Sequence, residues 1–240
     1  MAAYKIKLIR QEEVAVGTSA FYFEKPEGFQ FKPGQFLRFT HFDAPETDDE
    51  GNARNFSIAS APHEPQLMIA TRTRDTAFKR VLRSLAPGSE IEIKGPYGKM
   101  TLHEDSSRPA VILTGGIGIT PFRSIVYGAT QSGLAHRLNL FYSNRRPEDA
   151  AFLDQFSRLT KINSNLLFVP TMTSTELSAD LWQGERGHID ADMVKRYVEN
   201  LGSAVFYVAG PAGLVSAMRQ VLRDAEIKED DIRSEEFSGY

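Results

Sequence analysis

The segment Val111-Ile112-Leu113-Thr114-Gly115-Gly116-Ile117-Gly118-Ile119-Thr120-Pro121 restricts the fold more than any other part of the chain. An apolar strand runs into a glycine turn, and the turn runs into a helix. Thr120 suits the N-cap of that helix, and Pro121 suits its first position, where a missing N–H costs nothing. Without β-carbons the glycines let backbone N–H groups approach an anion, and the helix N-terminus adds a favourable dipole. A pyrophosphate fits such a place. The spacing departs from the G-x-G-x-x-G fingerprint, because Pro121 stands where the third glycine would be. The same residues also read as a plain tight turn in an α/β sheet.

Strands and helices alternate around this segment. Strands are expected at Ala110–Thr114, Leu138–Ser143, Asn165–Thr171 and Val205–Ala209, and helices at Thr120–Thr130, Pro147–Leu159, Asp190–Asn200 and Pro211–Asp224. That order implies βαβ units and a parallel sheet. The character changes near Glu104-Asp105-Ser106-Ser107-Arg108. Before it the chain is short strands and turns: the alternating start Tyr4–Leu8, then Gln35–Thr40, Arg54–Ser60, Leu67–Arg72 and Glu90–Lys94. Strands at this spacing indicate a small antiparallel barrel, with Thr76–Leu85 as its one helix and Asp43–Asn52 as an exposed acidic loop. The domains are read as 1–105 and 106–240.

Composition closes several routes. The chain has no cysteine, so thiolate metal sites, cysteine nucleophiles and cysteine-bound iron–sulfur clusters are excluded. Its five histidines are scattered, with no pair at metal-ligand spacing. A net charge of −3 offers no basic field for nucleic acid. The start lacks the apolar run of a signal peptide, and the apolar stretch Ala110–Phe122 is too short and too glycine-broken to span a bilayer. A cytoplasmic protein without membrane spans is the expectation.

Three further segments carry chemistry. In Arg54-Asn55-Phe56-Ser57, strand alternation puts Arg54 and Phe56 on one face and Ser57 on the other. Arginine suits a phosphate and an aromatic ring suits a flat heterocycle, although alone the segment also reads as an ordinary amphipathic strand. Thr76 opens the lone helix of the first half, whose free N–H groups offer a second phosphate site. Arg72, Arg74, Lys79, Arg80 and Arg83 cluster there, either to dock an acidic partner or as a solvated face. Ala209-Gly210-Pro211 joins a strand to a helix at the carboxyl end of the sheet, where α/β sheets bind ligands.

In this order the segments resemble the ferredoxin–NADP reductase family, over essentially the whole chain. The resemblance implies an antiparallel Greek-key flavin-binding barrel followed by a parallel-sheet nicotinamide-nucleotide domain. Arg54-Asn55-Phe56-Ser57 matches the family's R-x-Y-[ST] flavin motif. Arg54 would pair with a flavin phosphate, Phe56 would pack on the flavin without the usual tyrosine hydroxyl, and Ser57 would act catalytically near flavin N5. Ile69 and Thr71 belong to the same expected site. Thr76, Ala77 and Phe78 would hold the FAD pyrophosphate by backbone amides, and Gly95-Pro96-Tyr97-Gly98 resembles a turn near the domain junction. Thr114, Gly115, Gly116, Gly118, Thr120 and Pro121 would hold the nicotinamide nucleotide. Ser143, Asn144, Arg145, Arg146 and Thr173 would surround its adenosine ribose, with Gly210 and Pro211 completing the site. Ala209 replaces a cysteine common in plant-type members. An aromatic near the C-terminus, Phe237 or Tyr240, would lie against the flavin, and Tyr240 is the expected catalytic partner of Ser57.

The implied activity is an NAD(P)H-dependent flavoprotein reductase. It would move a hydride from NADP(H) or NAD(H) to FAD, with FMN as the alternative flavin. It would then pass electrons to a separate ferredoxin, flavodoxin or oxygenase component. The two arginines after Ser143 favour NADPH. A non-catalytic nucleotide-binding regulator of the same architecture is the competing reading. A serine hydrolase is not, since no G-x-S-x-G elbow is present.

Overall fold

The computed structural model describes residues 3–42, 44–178 and 181–237, whose strands form two six-stranded sheets. The first half contributes β1 (Ala3–Ala15), β2 (Thr18–Glu24), β3 (Phe36–His41), β4 (Ala53–Ser57), β5 (Gln66–Arg72), α1 (Ala77–Ser84) and β6 (Glu90–Tyr97). Their order is β4-β3-β6-β1-β2-β5, with every pair antiparallel. Insertion of the last strand, β6, between β3 and β1 is the Greek-key crossing. The chain just past β4 turns onto the far edge: the N–H groups of Ala59 and Ser60 donate to the Met68 carbonyl of β5 at 2.7 and 3.3 Å. Phe21, Phe23, Phe39, Ile91 and Ile93 fill the interior, and α1 buries Phe78 and Leu82 in the same core.

The second half contributes β7 (Ala110–Gly115), α2 (Ile119–Gln131), β8 (Leu138–Asn144), α3 (Leu153–Leu159), β9 (Leu166–Met172), β10 (Glu185–Arg186), α4 (Ala191–Tyr197), β11 (Val205–Gly210), α5 (Ala212–Asp224) and β12 (Ile232–Glu236). These strands are parallel, in the order β10-β9-β8-β7-β11-β12. Helices cover both faces, with Phe122, Ile125 and Phe156 on one side and Met193, Val215 and Met218 on the other. β7 is buried along its whole length because both faces are covered. From β7 the chain winds outward to β10 and then returns to the other side of β7 at β11. The switch point therefore lies between β7 and β11, where open α/β sheets form their ligand crevice.

Two element expectations change. The helix expected over Pro147–Leu159 is split into a 3-10 turn at Pro147–Asp149 and an α-helix from Leu153, because Ala150 is extended and Phe152 adopts a left-handed φ of 62° between them. Three strands, β2, β10 and β12, were not legible in the sequence. β12 holds one buried residue, Ile232, and follows the sheet by pairing with β11 rather than by its own pattern. Among the described residues no helix is long and apolar enough to cross a membrane.

Candidate functional site

A cleft of about 410 Å³ lies between the two sheets. Its barrel wall is β4 and its neighbours: Arg54, Asn55, Phe56 and Ser57 all line it, with Arg38 of β3 and Thr71 and Arg72 at the end of β5. β4 is an edge strand, so residues of both its faces reach the cleft mouth, Ser57 included. The Phe56 ring is held from behind, 5.6 Å from Phe78 and edge-on to Phe39 at 5.7 Å. Ser57 is 7% exposed, and its hydroxyl makes no hydrogen bond among the described residues. Ile69 differs from expectation. Its side chain is 1% exposed in the barrel core, facing inward because β5 alternates, and it does not reach the cleft wall.

The far end of this wall is strongly positive. Thr76 caps α1 by accepting from the Lys79 N–H at 3.4 Å, as the sequence predicts, and lines the cleft beside Lys79. Ala77 and Phe78 are buried, so only their backbone can face a ligand. Burial, together with Arg74, Arg54 and Arg72, pushes the Lys79 ammonium down to about 8. A cation so destabilised is a group in want of an anion. Arg54 is partly spoken for. Its guanidinium pairs with Asp48 and, at 2.9 Å, with Glu50, and it donates to the carbonyls of Glu50, Gly51 and Ala53. Arg80 points elsewhere, held by Glu46 and by Asp75 at 2.7 Å. Of the basic cluster, Arg72 and Lys79 line the cleft, whereas Arg74, Arg80 and Arg83 do not.

The opposite wall is the glycine loop and the end of the parallel sheet, through Ile117, Thr120, Glu235, Glu236 and Phe237. The glycines here serve close packing first. A β-carbon on Gly118 would lie 2.4 Å from the Ala209 carbonyl oxygen, and one on Gly115 would lie 2.5 Å from Leu214. The Thr114 hydroxyl donates to the Ala209 carbonyl at 2.7 Å. The glycine loop and Ala209-Gly210-Pro211 are therefore one fused edge. Thr120 does not cap α2, as expected of it; the cap position is Gly118, and the Thr120 hydroxyl donates to the Ile117 carbonyl at 3.0 Å. Pro121 consequently stands third in the helix, still within the turn that needs no N–H acceptor.

Around the carboxyl ends of β8 and β9 the structure gathers Ser143, Asn144, Arg145, Arg146 and Thr173. The Thr173 N–H and hydroxyl both donate to the Asn144 carbonyl, at 2.9 and 3.3 Å. The Asn144 side chain is buried, and neither its amide nitrogen nor its oxygen has a partner among the described residues. Arg146 is committed to Asp149 through a fork of 2.7 and 2.9 Å, whereas Arg145 is exposed and its side chain makes no hydrogen bond or close ion pair among the described residues. Gly210 and Pro211 lead into α5, and the Phe237 N–H donates to the Gly210 carbonyl at 3.0 Å, which brings Phe237 to the cleft. Tyr240 lies outside the described residues. Glu235 was missed by sequence reading. It reaches the cleft only because it pairs beside Ala209, and burial pushes its carboxyl above the usual range.

Comparison with known proteins adds independent findings. Residues 112–220 match the oxidoreductase NAD-binding domain family. The chain is 26% identical over 219 residues to the propane 2-monooxygenase reductase component of Rhodococcus jostii, covering 89% of this chain and 57% of that protein. It is 27% identical over 229 residues to ferredoxin–NADP reductase B of Sorangium cellulosum, covering 92% and 91% of the two chains. In structure it superposes, with a TM-score of 0.79 and 22% identity, on a Neisseria gonorrhoeae ferredoxin NADP+ reductase with bound FAD and NADP, covering 98% of each chain. The chain is thus similar in sequence, along most of its length, to ferredoxin–NADP reductases and oxygenase reductase components, and it shares their two-domain fold.

Proposed function

We propose that the protein is an NAD(P)H-dependent flavoprotein reductase that moves a hydride from NAD(P)H to bound FAD and passes electrons to a separate carrier such as a ferredoxin, a flavodoxin or an oxygenase component. The observation that carries this reading is the cleft itself, which brings Arg54–Ser57 of the barrel and the glycine loop of the parallel sheet to opposite walls of one cavity. Its volume of about 410 Å³ is in the range of small-molecule and cofactor sites. The fit to a dinucleotide rests on the depressed Lys79 ammonium among three arginines, and on the orphaned Asn144 amide. A flavin facing a nicotinamide ring supplies hydride transfer and one-electron release when both are bound.

The residues present would bind and orient. Arg54, Lys79 and the N–H groups after Thr76 would hold the flavin phosphates, and Phe56 would pack against the flavin with Ser57 offering its free hydroxyl to the ring edge. Thr71 and Asn55 would flank it. Gly115–Thr120, Thr114 and Gly210-Pro211 would form the floor under the nicotinamide nucleotide. Ser143, Asn144, Arg145 and Thr173 would surround its adenosine half, and Phe237 would close the cleft from the sheet side. The domain boundary is set at 105/106, between β6 and β7. Cytoplasmic action follows from the nucleotide donor the site would use. Absorbance of the purified, reconstituted protein, followed by reverse-phase identification of the heat-released flavin, tests the cofactor. Dominant FAD is expected; a dominant FMN peak, or a colourless protein that takes up no flavin, would overturn the assignment.

A further inference from the structure

Two residues past Pro121, α2 sends Arg123 into the junction between the sheets, where its side chain is 5% exposed. The guanidinium forks onto Glu64, at 2.8 and 3.0 Å, and donates to the Ala59 carbonyl at 2.7 Å and to Gln155 at 2.7 Å. The rings of Tyr127 and Phe152 each sit 5.2 Å from it. Phe152 reaches that position with a left-handed φ of 62°, a conformation a bulky residue keeps only when its surroundings enforce it. The next residue of α2, Ser124, donates to the Ser60 carbonyl at 2.7 Å, while Glu64 accepts from the Ala61 N–H at 2.5 Å. Three successive residues of the barrel, 59 to 61, are thus held at this junction, the first two directly from the helix that follows the glycine loop and the third through Glu64. Those three residues begin two positions after Ser57.

We propose that Arg123 and Glu64 are positioning residues, which set the separation between the flavin-motif strand and the glycine loop and thereby the distance over which hydride is transferred. This rests on the cleft being the flavin and nicotinamide site. A fork that donates to the Ala59 carbonyl and accepts from the Ala61 N–H is directional and resists sliding, which an apolar junction of equal size would not. Neither residue lines the cleft, so they act through strand and loop rather than on a ligand.

The absence of cysteine makes the geometry measurable, because Lys7→Cys in exposed β1 and Lys195→Cys in exposed α4 give two unique spin-label sites. In the labelled holoprotein, Arg123→Met combined with Glu64→Gln removes the pair without leaving a lone buried charge. The inter-label distance distribution is expected to broaden about twofold, and the flavin bleaching rate at saturating NADPH to fall about tenfold or more. Flavin content and the NADPH Kd should stay within about twofold, and Arg123→Lys should recover part of the rate. An unchanged distance distribution overturns the clamp. A broadened distribution with an unchanged bleaching rate, or a fall in rate accompanied by an equal rise in Kd, overturns its positioning role. If the parent protein takes up flavin but is never bleached, the functional reading fails, while the distance measurement still decides the clamp. Should the double variant not fold, Glu64→Gln alone is read on the same two measurements.

Discussion

Lys79 stands at the third position of α1 with three guanidinium groups around it, and its value of about 8 compares with 10.5 for a free lysine. Because this base is depressed in the folded state, the unfolded chain binds more protons between about pH 8 and 10.5. Its contribution to stability therefore rises with pH through that window. An anion in the cleft restores the charge. At pH 8, FAD binding should take up roughly half a proton through Lys79, and at pH 6 none. Calorimetric titration in two buffers of different ionisation enthalpy measures this, and Lys79→Met should abolish it; a binding heat independent of buffer at pH 8 would contradict the assignment. A second residue-scale prediction separates Arg145 from Arg146. Both follow Ser143, where a nicotinamide site would meet a 2′-phosphate, yet Arg146 is held by Asp149 and Arg145 is not. Arg145→Ala should lower the NADPH/NADH ratio of kcat/KM about tenfold, the value of one charge-assisted contact, while Arg146→Ala leaves it within about twofold. Equal losses in the two variants would show that the Asp149 pair opens to the ligand.

At the scale of elements, the parallel half was legible because β7, β8, β9 and β11 are largely apolar segments that tertiary packing reinforces. The glycine loop was legible in place, but one of its uses was not. Besides the room for an anion that the sequence suggests, two of the missing β-carbons admit the approach of Ala209–Gly210 and Leu214. Gly118→Ala should therefore cost about 1–3 kcal/mol by overpacking, a fall of roughly 2–10 °C in Tm, whether or not a nucleotide is present. A variant as stable as the parent would mean that the loop gives way without cost. β12 and Glu235 were illegible, since their position comes from pairing with β11 and not from any local pattern. So was the embrace of Arg54 by the segment between β3 and β4, where Asp48 and Glu50 are acids a loop can carry for solubility alone. Those carboxylates occupy the guanidinium a flavin phosphate would use. Asp48→Asn with Glu50→Gln should thus tighten FAD by up to about fivefold, the size of a partly exposed ion pair. Weaker FAD binding in that variant would mean that the loop preorganises Arg54 instead of competing for it.

At the scale of the molecule, neither sheet makes the site alone. The barrel offers a cationic end and a stacking ring, and the parallel sheet offers its switch point between β7 and β11. The Arg123–Glu64 junction and the Ser124–Ser60 bond hold one against the other. This division explains why each sequence motif was weak by itself, and why their order along the chain said more than any one of them. The central claim is that electrons cross from a nicotinamide nucleotide to a flavin inside this cleft. Anaerobic stopped-flow mixing of the FAD-loaded protein with NADPH or NADH tests it most directly. Monophasic loss of the oxidised-flavin absorbance, saturating with nucleotide and abolished when Ile117→Trp fills the cleft from the glycine loop, is the predicted result. Flavin that stays oxidised at saturating concentrations of both nucleotides would contradict it.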